Sequence, residues 1–154
     1  LANPEKANRI ELDTDEKFLT WTQIAQLHNA GWTIGCHSAT HADFSNLSER
    51  EMKQEIIESK DNLEKKLGFA ITSIAYPKGY YSKKIIQEVV AAGYTQGFTI
   101  EAGTITLSTN NSEIPRTIID STHKPSELPA IITPSWLKFR DYTNKFKLWE
   151  RFLS

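Results

Sequence analysis

With one cysteine, Cys36, the chain has no route to an intramolecular disulfide, so packing and hydrogen bonding must hold its fold. Positive charge is not in excess: 18 Lys and Arg stand against 19 Asp and Glu, a formal net charge of -1. That balance excludes the basic footprint of a nucleic-acid binder. No apolar run approaches the roughly 20 residues of a membrane-spanning helix. The first residues lack the basic-then-apolar layout of a secretory leader. Internal repeats and low-complexity tracts are missing as well. What is present, 154 residues with 39% hydrophobic content, matches one globular domain with a core.

Residues 1–17 are polar and aperiodic and read as a surface segment. Thr20 or Thr22 then caps a helix carrying Trp21, Ile24, Ala25 and Leu27, with Gly31 as its stop. A short β-rich run, residues 32–36, leads into the segment Cys36-His37-Ser38-Ala39-Thr40-His41. Ser48 and Glu51 form a capping-box pattern that opens a long helix to Leu67, closed by Gly68. Met52, Ile56, Leu63 and Leu67 line one face of it. A strand over residues 71–76, a helix over 82–92 ended by Gly93, a strand over 94–100 and another over 114–119 follow. Such alternation predicts a parallel sheet or barrel, with reactive residues on the loops after strand C-terminal ends. His37 and Pro77 each follow a predicted strand and would share that face.

The histidine segment is the sharpest local feature. Two imidazoles four residues apart can turn toward one ion if the residues between them begin a helical turn. With a carboxylate added, such a pair suits zinc or a similar divalent metal. The same spacing also describes two hydrogen-bonding surface histidines, and no Glu follows His37 as a zincin motif requires. His28 reads as a solvated helix residue and His123 as a loop residue.

Several spaced segments together resemble the polysaccharide deacetylases (carbohydrate esterase family 4, the NodB-homology domain). They are Leu19-Thr20-Trp21, the run from Gly31 to His41, and Leu47-Ser48 opening a charged helix. Ala75-Tyr76-Pro77-Lys78-Gly79-Tyr80-Tyr81 and Ala92-Gly93-Tyr94 complete the set, in family order over residues 19–119. The resemblance implies an α/β fold: the C-terminal part of a distorted (β/α) barrel, incomplete here because the N-terminal strands are not in this sequence. It implies a divalent metal, zinc first, held by His37 and His41 together with an aspartate.

In the family that aspartate lies in a Thr-Phe-Asp-Asp segment, whose other Asp is the general base. No such segment occurs in this sequence. Asp13, Asp15 and Asp43 are nearby carboxylates, but none follows a buried strand with that pattern. Neither the aspartate base nor the histidine acid is therefore visible. Ala75 stands where many members carry Arg, which resembles the branch acting on poly-N-acetylglucosamine, where the motifs are circularly permuted. Arg116, in Ile114-Pro115-Arg116-Thr117-Ile118, resembles that branch's closing strand.

The implied reaction is hydrolysis of an N-acetyl amide on an amino-sugar polymer: poly-N-acetylglucosamine, a chitin-like glycan or peptidoglycan. A metal-activated water attacks, an aspartate takes its proton, and a histidine protonates the leaving amine. Pro77, Lys78, Gly79, Tyr80 and Tyr81 would contact substrate, with a backbone N–H, that of Lys78, on the oxyanion. Tyr80 and Tyr81 read either as a sugar-facing wall or as packing under the loop. Arg116 reads either as the orienter of a catalytic carboxylate or as a strand-end surface charge. The family places such an enzyme outside the cell or in its envelope. A non-catalytic glycan- or metal-binding relic of the same fold is the alternative, and the missing aspartates favour it if this chain is the whole product.

The resemblance fades after Thr122, which divides the chain into a deacetylase part, 1–122, and a tail, 123–154. Pro125, Pro129 and Pro134 mark an irregular connection. From Trp136 a helix is expected, with Phe139, Tyr142, Phe146, Trp149 and Leu153 on one face. It would pack on the barrel, or, with its local positive charge, touch a membrane surface. Apolar strand surface left open by an incomplete barrel would be covered by further chain or by a second copy.

Overall fold

In the computed structural model, which describes residues 18–119 and 122–135, three helix starts carry a side-chain cap. Thr20 caps α1 (Trp21–Asn29) in a reciprocal box with Gln23. Ser48 and Glu51 do the same for α2 (Glu49–Leu67). Ser82 accepts from the Ile85 N–H at the head of α3 (Lys83–Ala91). These caps satisfy N–H groups that a helix leaves without intrahelical partners, which is why the starts were legible locally. Gly68 ends α2 at φ 79, a left-handed conformation open to glycine and strained for side-chain-bearing residues.

The two strands, β1 (Ser73–Ala75) and β2 (Gln96–Phe98), pair in parallel with Ile74 opposite Gly97. Cys36 bridges to Ile74 and Ile114 to Phe98, both in parallel. Across the array the order is therefore the Cys36 segment, β1, β2 and the Ile114 segment. Helix α2 lies on the connection from Cys36 to β1, and α3 on that from β1 to β2. Parallel neighbours joined through helices are the α/β arrangement expected from the sequence.

The outer segments are shorter than expected. Residues 32–36 and 114–119 each contribute one isolated bridge rather than a strand. On the first, Cys36 makes both ladder bonds, to Ser73 and from Ala75, and the chain then turns away through Ser38 at φ 64. On the second, the next N–H to face β2 is that of Arg116, which donates to the Glu101 carbonyl while the Arg116 side chain takes the Thr99 carbonyl, so the ladder stops at Ile114. The array is open among the described residues, with no barrel closure in them. Large apolar side chains stay exposed on its outer segments, Trp32 on one side and Ile118 and Ile119 on the other.

One core cluster joins these elements: Cys36, Phe44, Met52, Ile56, Ile71, Ile74, Tyr76, Ile85, Val89 and Tyr94. Full burial of a side chain such as Ile56 or Ile74 stabilises by about 1.5–3 kcal/mol. Two buried hydroxyls find carbonyls, Tyr94 on Ile56 and Tyr76 on Ser112, so neither carries a desolvation penalty. His28 departs from the expected solvated residue. Its ring stacks on Phe69 with centroids 3.6 Å apart, and its Nδ1 is buried without a hydrogen-bond partner among the described residues.

In the tail, a short helix α4 (Leu128–Ile131) follows a 3-10 turn, Pro125–Glu127, and buries Ile131. The expected helix from Trp136, like Asp13 and Asp15, lies outside the described residues. No helix among the described residues is long and apolar enough to cross a membrane.

Candidate functional site

Each parallel segment delivers a polar group at its C-terminal end, the side where open α/β sheets bind ligands. His37 follows Cys36, Pro77 and Lys78 follow β1, Glu101 follows β2, and Arg116 follows Ile114. The two histidines come together there, their ring centroids 4.8 Å apart and nearly perpendicular. Both residues are exposed.

His37 is fixed by the neighbouring strand end. Its Nδ1 lies 2.7 Å from the carbonyl oxygen of Ala75. A carbonyl only accepts, so Nδ1 carries the hydrogen and Nε2 keeps a free lone pair. Histidines that ligate metals are commonly set in this way, by a hydrogen bond from the other ring nitrogen. The donor chemistry therefore fits a borderline divalent ion such as zinc.

The turn between the histidines is not the start of a helix. Ser38 and His41 both adopt the left-handed region, at φ 64 and φ 61, and the His41 N–H donates to the Ser38 hydroxyl. Glu55 of α2 spans the turn: its Oε2 accepts from Ala39 N and Thr40 N, each at 2.9 Å, and its Oε1 from the Thr40 hydroxyl at 2.7 Å. Burial works to raise the Glu55 carboxyl, but the donors on Thr40, Ala39 and Ser38 outweigh it and hold the group below its ordinary value. The sequence reading missed Glu55, which sits among exposed helix charges and has no motif of its own.

Asp43 and Lys78 link the histidine loop to the Pro77 loop. Lys78 Nζ lies 3.7 Å from Asp43 Oδ2, with Asp43 the more shielded partner. Asp43 also caps the 3-10 turn Phe44–Asn46 through Ser45. The Ser45 hydroxyl, then its N–H and Lys78, hold the Asp43 carboxyl below its usual value. Among the described residues no set of three His, Cys, Asp or Glu side chains could hold a metal ion, so Asp43 does not complete the pair.

The Pro77 loop divides its two tyrosines. Tyr81 is half-buried and stacks on Tyr76 with centroids 5.4 Å apart, and its hydroxyl donates to Glu101. Burial, then the Glu101 charge, push Tyr81 up to about 12. Tyr80 stays 49% exposed. Both line a groove of about 380 Å³ with Phe44, Leu47, Met52 and Lys84. Gly79 has φ 73, and a Cβ there would overlap the Ile100 side chain. Pro77 itself is buried, and the N–H groups of Gly79 and Tyr80 donate to Tyr76 and Pro77. The Lys78 N–H meets no backbone acceptor among the described residues. Arg116 is half-buried, its Nε donating to the Thr99 carbonyl; no described carboxylate pairs with it.

The chain is similar to known proteins in sequence and fold. The polysaccharide deacetylase family profile matches residues 5–97. A Bacillus subtilis protein described as a polysaccharide deacetylase, YxkH, is 27% identical over 85 residues, covering 55% of this chain and 30% of its own length. The Streptococcus pyogenes deacetylase PplD, solved in complex with acetate, superposes with a TM-score of 0.71 at 26% identity. That match covers 79% of this chain and 54% of PplD. A polysaccharide deacetylase from Bacillus cereus gives a TM-score of 0.68 at 26% identity, over 78% of this chain and 38% of its own. The chain thus spans about a third to a half of the length of these relatives. With the profile covering more than half of its residues, the chain belongs to the polysaccharide deacetylase family.

Proposed function

We propose that the chain supplies the histidine half of a divalent-metal site, zinc first, in an enzyme that removes N-acetyl groups from an amino-sugar polysaccharide outside the cell or in its envelope. The convergence of His37 and His41, with Nδ1 of His37 committed to the Ala75 carbonyl, carries the reading. A divalent ion held there supplies Lewis-acid polarisation and lowers the pKa of water. The reading requires a carboxylate ligand and a proton acceptor from beyond the described residues. His37 and His41 hold the ion's position. The Lys78 N–H, without a backbone acceptor, donates to the acetyl oxygen as it gains charge. Tyr80 offers an exposed ring face to a sugar, in a groove walled by Met52 of α2 and Lys84 of α3. Ala75, the last residue of β1 ahead of the Pro77 loop, favours a poly-N-acetylglucosamine substrate within this class.

The decisive experiment measures acetate released from N-acetylglucosamine oligomers by the full-length gene product with zinc. Turnover by the parent, lost in His37→Ala and His41→Ala, supports the enzyme. Oligomers that bind but stay acetylated under every divalent metal tried sink it and leave a glycan-binding relic.

A further inference from the structure

We propose that Glu55 is a positioning residue that builds the metal-receptive turn, setting the two imidazoles at their working separation before any ion arrives. The inference rests on the metal reading of His37 and His41. Between them the backbone takes two left-handed steps at residues that carry side chains, Ser38 and His41. Each such step crowds the Cβ against the following carbonyl oxygen, so the turn persists only where its surroundings over-determine it. Glu55 provides that: three hydrogen bonds from two consecutive residues of the turn end on one carboxylate. The carboxylate is itself fixed, because α2 is anchored to the same segment one turn later. There the Cys36 thiol donates to the Ser59 hydroxyl at 3.0 Å, and Ser59 bonds back to the Glu55 carbonyl. Helix α2 therefore grips the strand end at Cys36 and the turn at Ala39 and Thr40 with residues on one face.

The geometry separates three substitutions. In Glu55→Gln the amide oxygen still accepts both N–H groups, while its NH2 donates to the Thr40 hydroxyl, which reverses its role. Glu55→Ala removes all three bonds, and Thr40→Val removes only the side-chain one. Zinc is titrated into the full-length protein and each variant by calorimetry, and amide exchange at Ala39 and Thr40 is followed without metal. Glu55→Ala should weaken zinc binding by about 10–100-fold, the scale of losses around metal ligands, and expose both amides to exchange. Glu55→Gln and Thr40→Val should each lose only a few-fold and keep the amides protected. If Glu55→Ala fails to fold, Glu55→Gln and Thr40→Val decide. Either one matching the His37→Ala affinity, or both leaving binding and exchange unchanged, overturns the graded role. A folded Glu55→Ala with zinc affinity within twofold of parent, or with both amides still protected, also overturns it. A parent that binds zinc no better than His37→Ala overturns the metal reading itself, and this proposal with it.

Discussion

His37 and Ala75 lie 38 residues apart in sequence, yet the imidazole Nδ1 sits 2.7 Å from the alanine carbonyl at the end of β1. One strand end thereby sets the tautomer of a side chain delivered by its neighbour. Because Cys36 and Ile74 are bridged, the position of His37 follows the sheet register and not the loop alone.

From that contact follows a prediction about zinc. His37→Ala and His41→Ala each remove a candidate ligand, and each should weaken zinc retention by more than the roughly 10–100-fold that losing an outer-shell partner costs. Equilibrium dialysis against zinc checks this, with far-ultraviolet circular dichroism confirming that both exposed-site variants stay folded.

Two glycines should respond differently to alanine. At Gly97 a Cβ would overlap the Tyr76 hydroxyl and approach the Ser112 carbonyl, the two groups joined by a buried hydrogen bond. Gly97→Ala should cost about 1–3 kcal/mol, as overpacking does. At Gly68 no described atom would lie within 4 Å of an added Cβ, and its left-handed φ is what resists a side chain. Gly68→Ala should cost about 1–2 kcal/mol, without disturbing Tyr76. Urea unfolding gives both values, and near-ultraviolet circular dichroism separates them: the tyrosine signal changes in Gly97→Ala alone.

The tyrosine pair should separate as well. Tyr80 is exposed on the groove, whereas Tyr81 stacks on Tyr76 and bonds Glu101. Tyr80→Ala should weaken binding of N-acetylglucosamine oligomers by about 2–10-fold, the equivalent of one aromatic contact, with little change in thermal midpoint. Tyr81→Ala should lower the midpoint markedly. Equal effects of both on the midpoint would contradict the division.

Acid should loosen the packing of α3 on α2 through Glu49. Hydrogen bonds from Lys84, then from Lys53, hold the Glu49 carboxyl down to about 2 from its ordinary 4.5. A depressed carboxylate contributes stability that is present above the unfolded value and lost as pH falls through the folded one. The loss should therefore run from about 4.5 down to about 2. Thermal midpoints across that window should fall less steeply in Glu49→Gln than in the parent, and added salt should shrink the difference, since these groups are exposed.

The sequence by itself determined what nearest neighbours decide. Thr20 with Gln23, Ser48 with Glu51, and Ser82 mark helix starts because a cap acts within one turn, and Gly68 marks an end because its φ is a local matter. The order of strands, helices and histidines was legible for the same reason, and it carried the family. Strand lengths were not. Hydrophobic runs at 32–36 and 114–119 show which residues favour extended backbone, but pairing depends on a partner's register, on where the Arg116 N–H finds its acceptor and on the turn at Ser38. Nor could the sequence assign Glu55, 16 residues from Ala39, or divide Tyr80 from Tyr81, or bury His28 against Phe69. Each of those contacts joins groups distant along the chain, and only the packing of α2 and the loops around the parallel array brings them within hydrogen-bond or van der Waals reach.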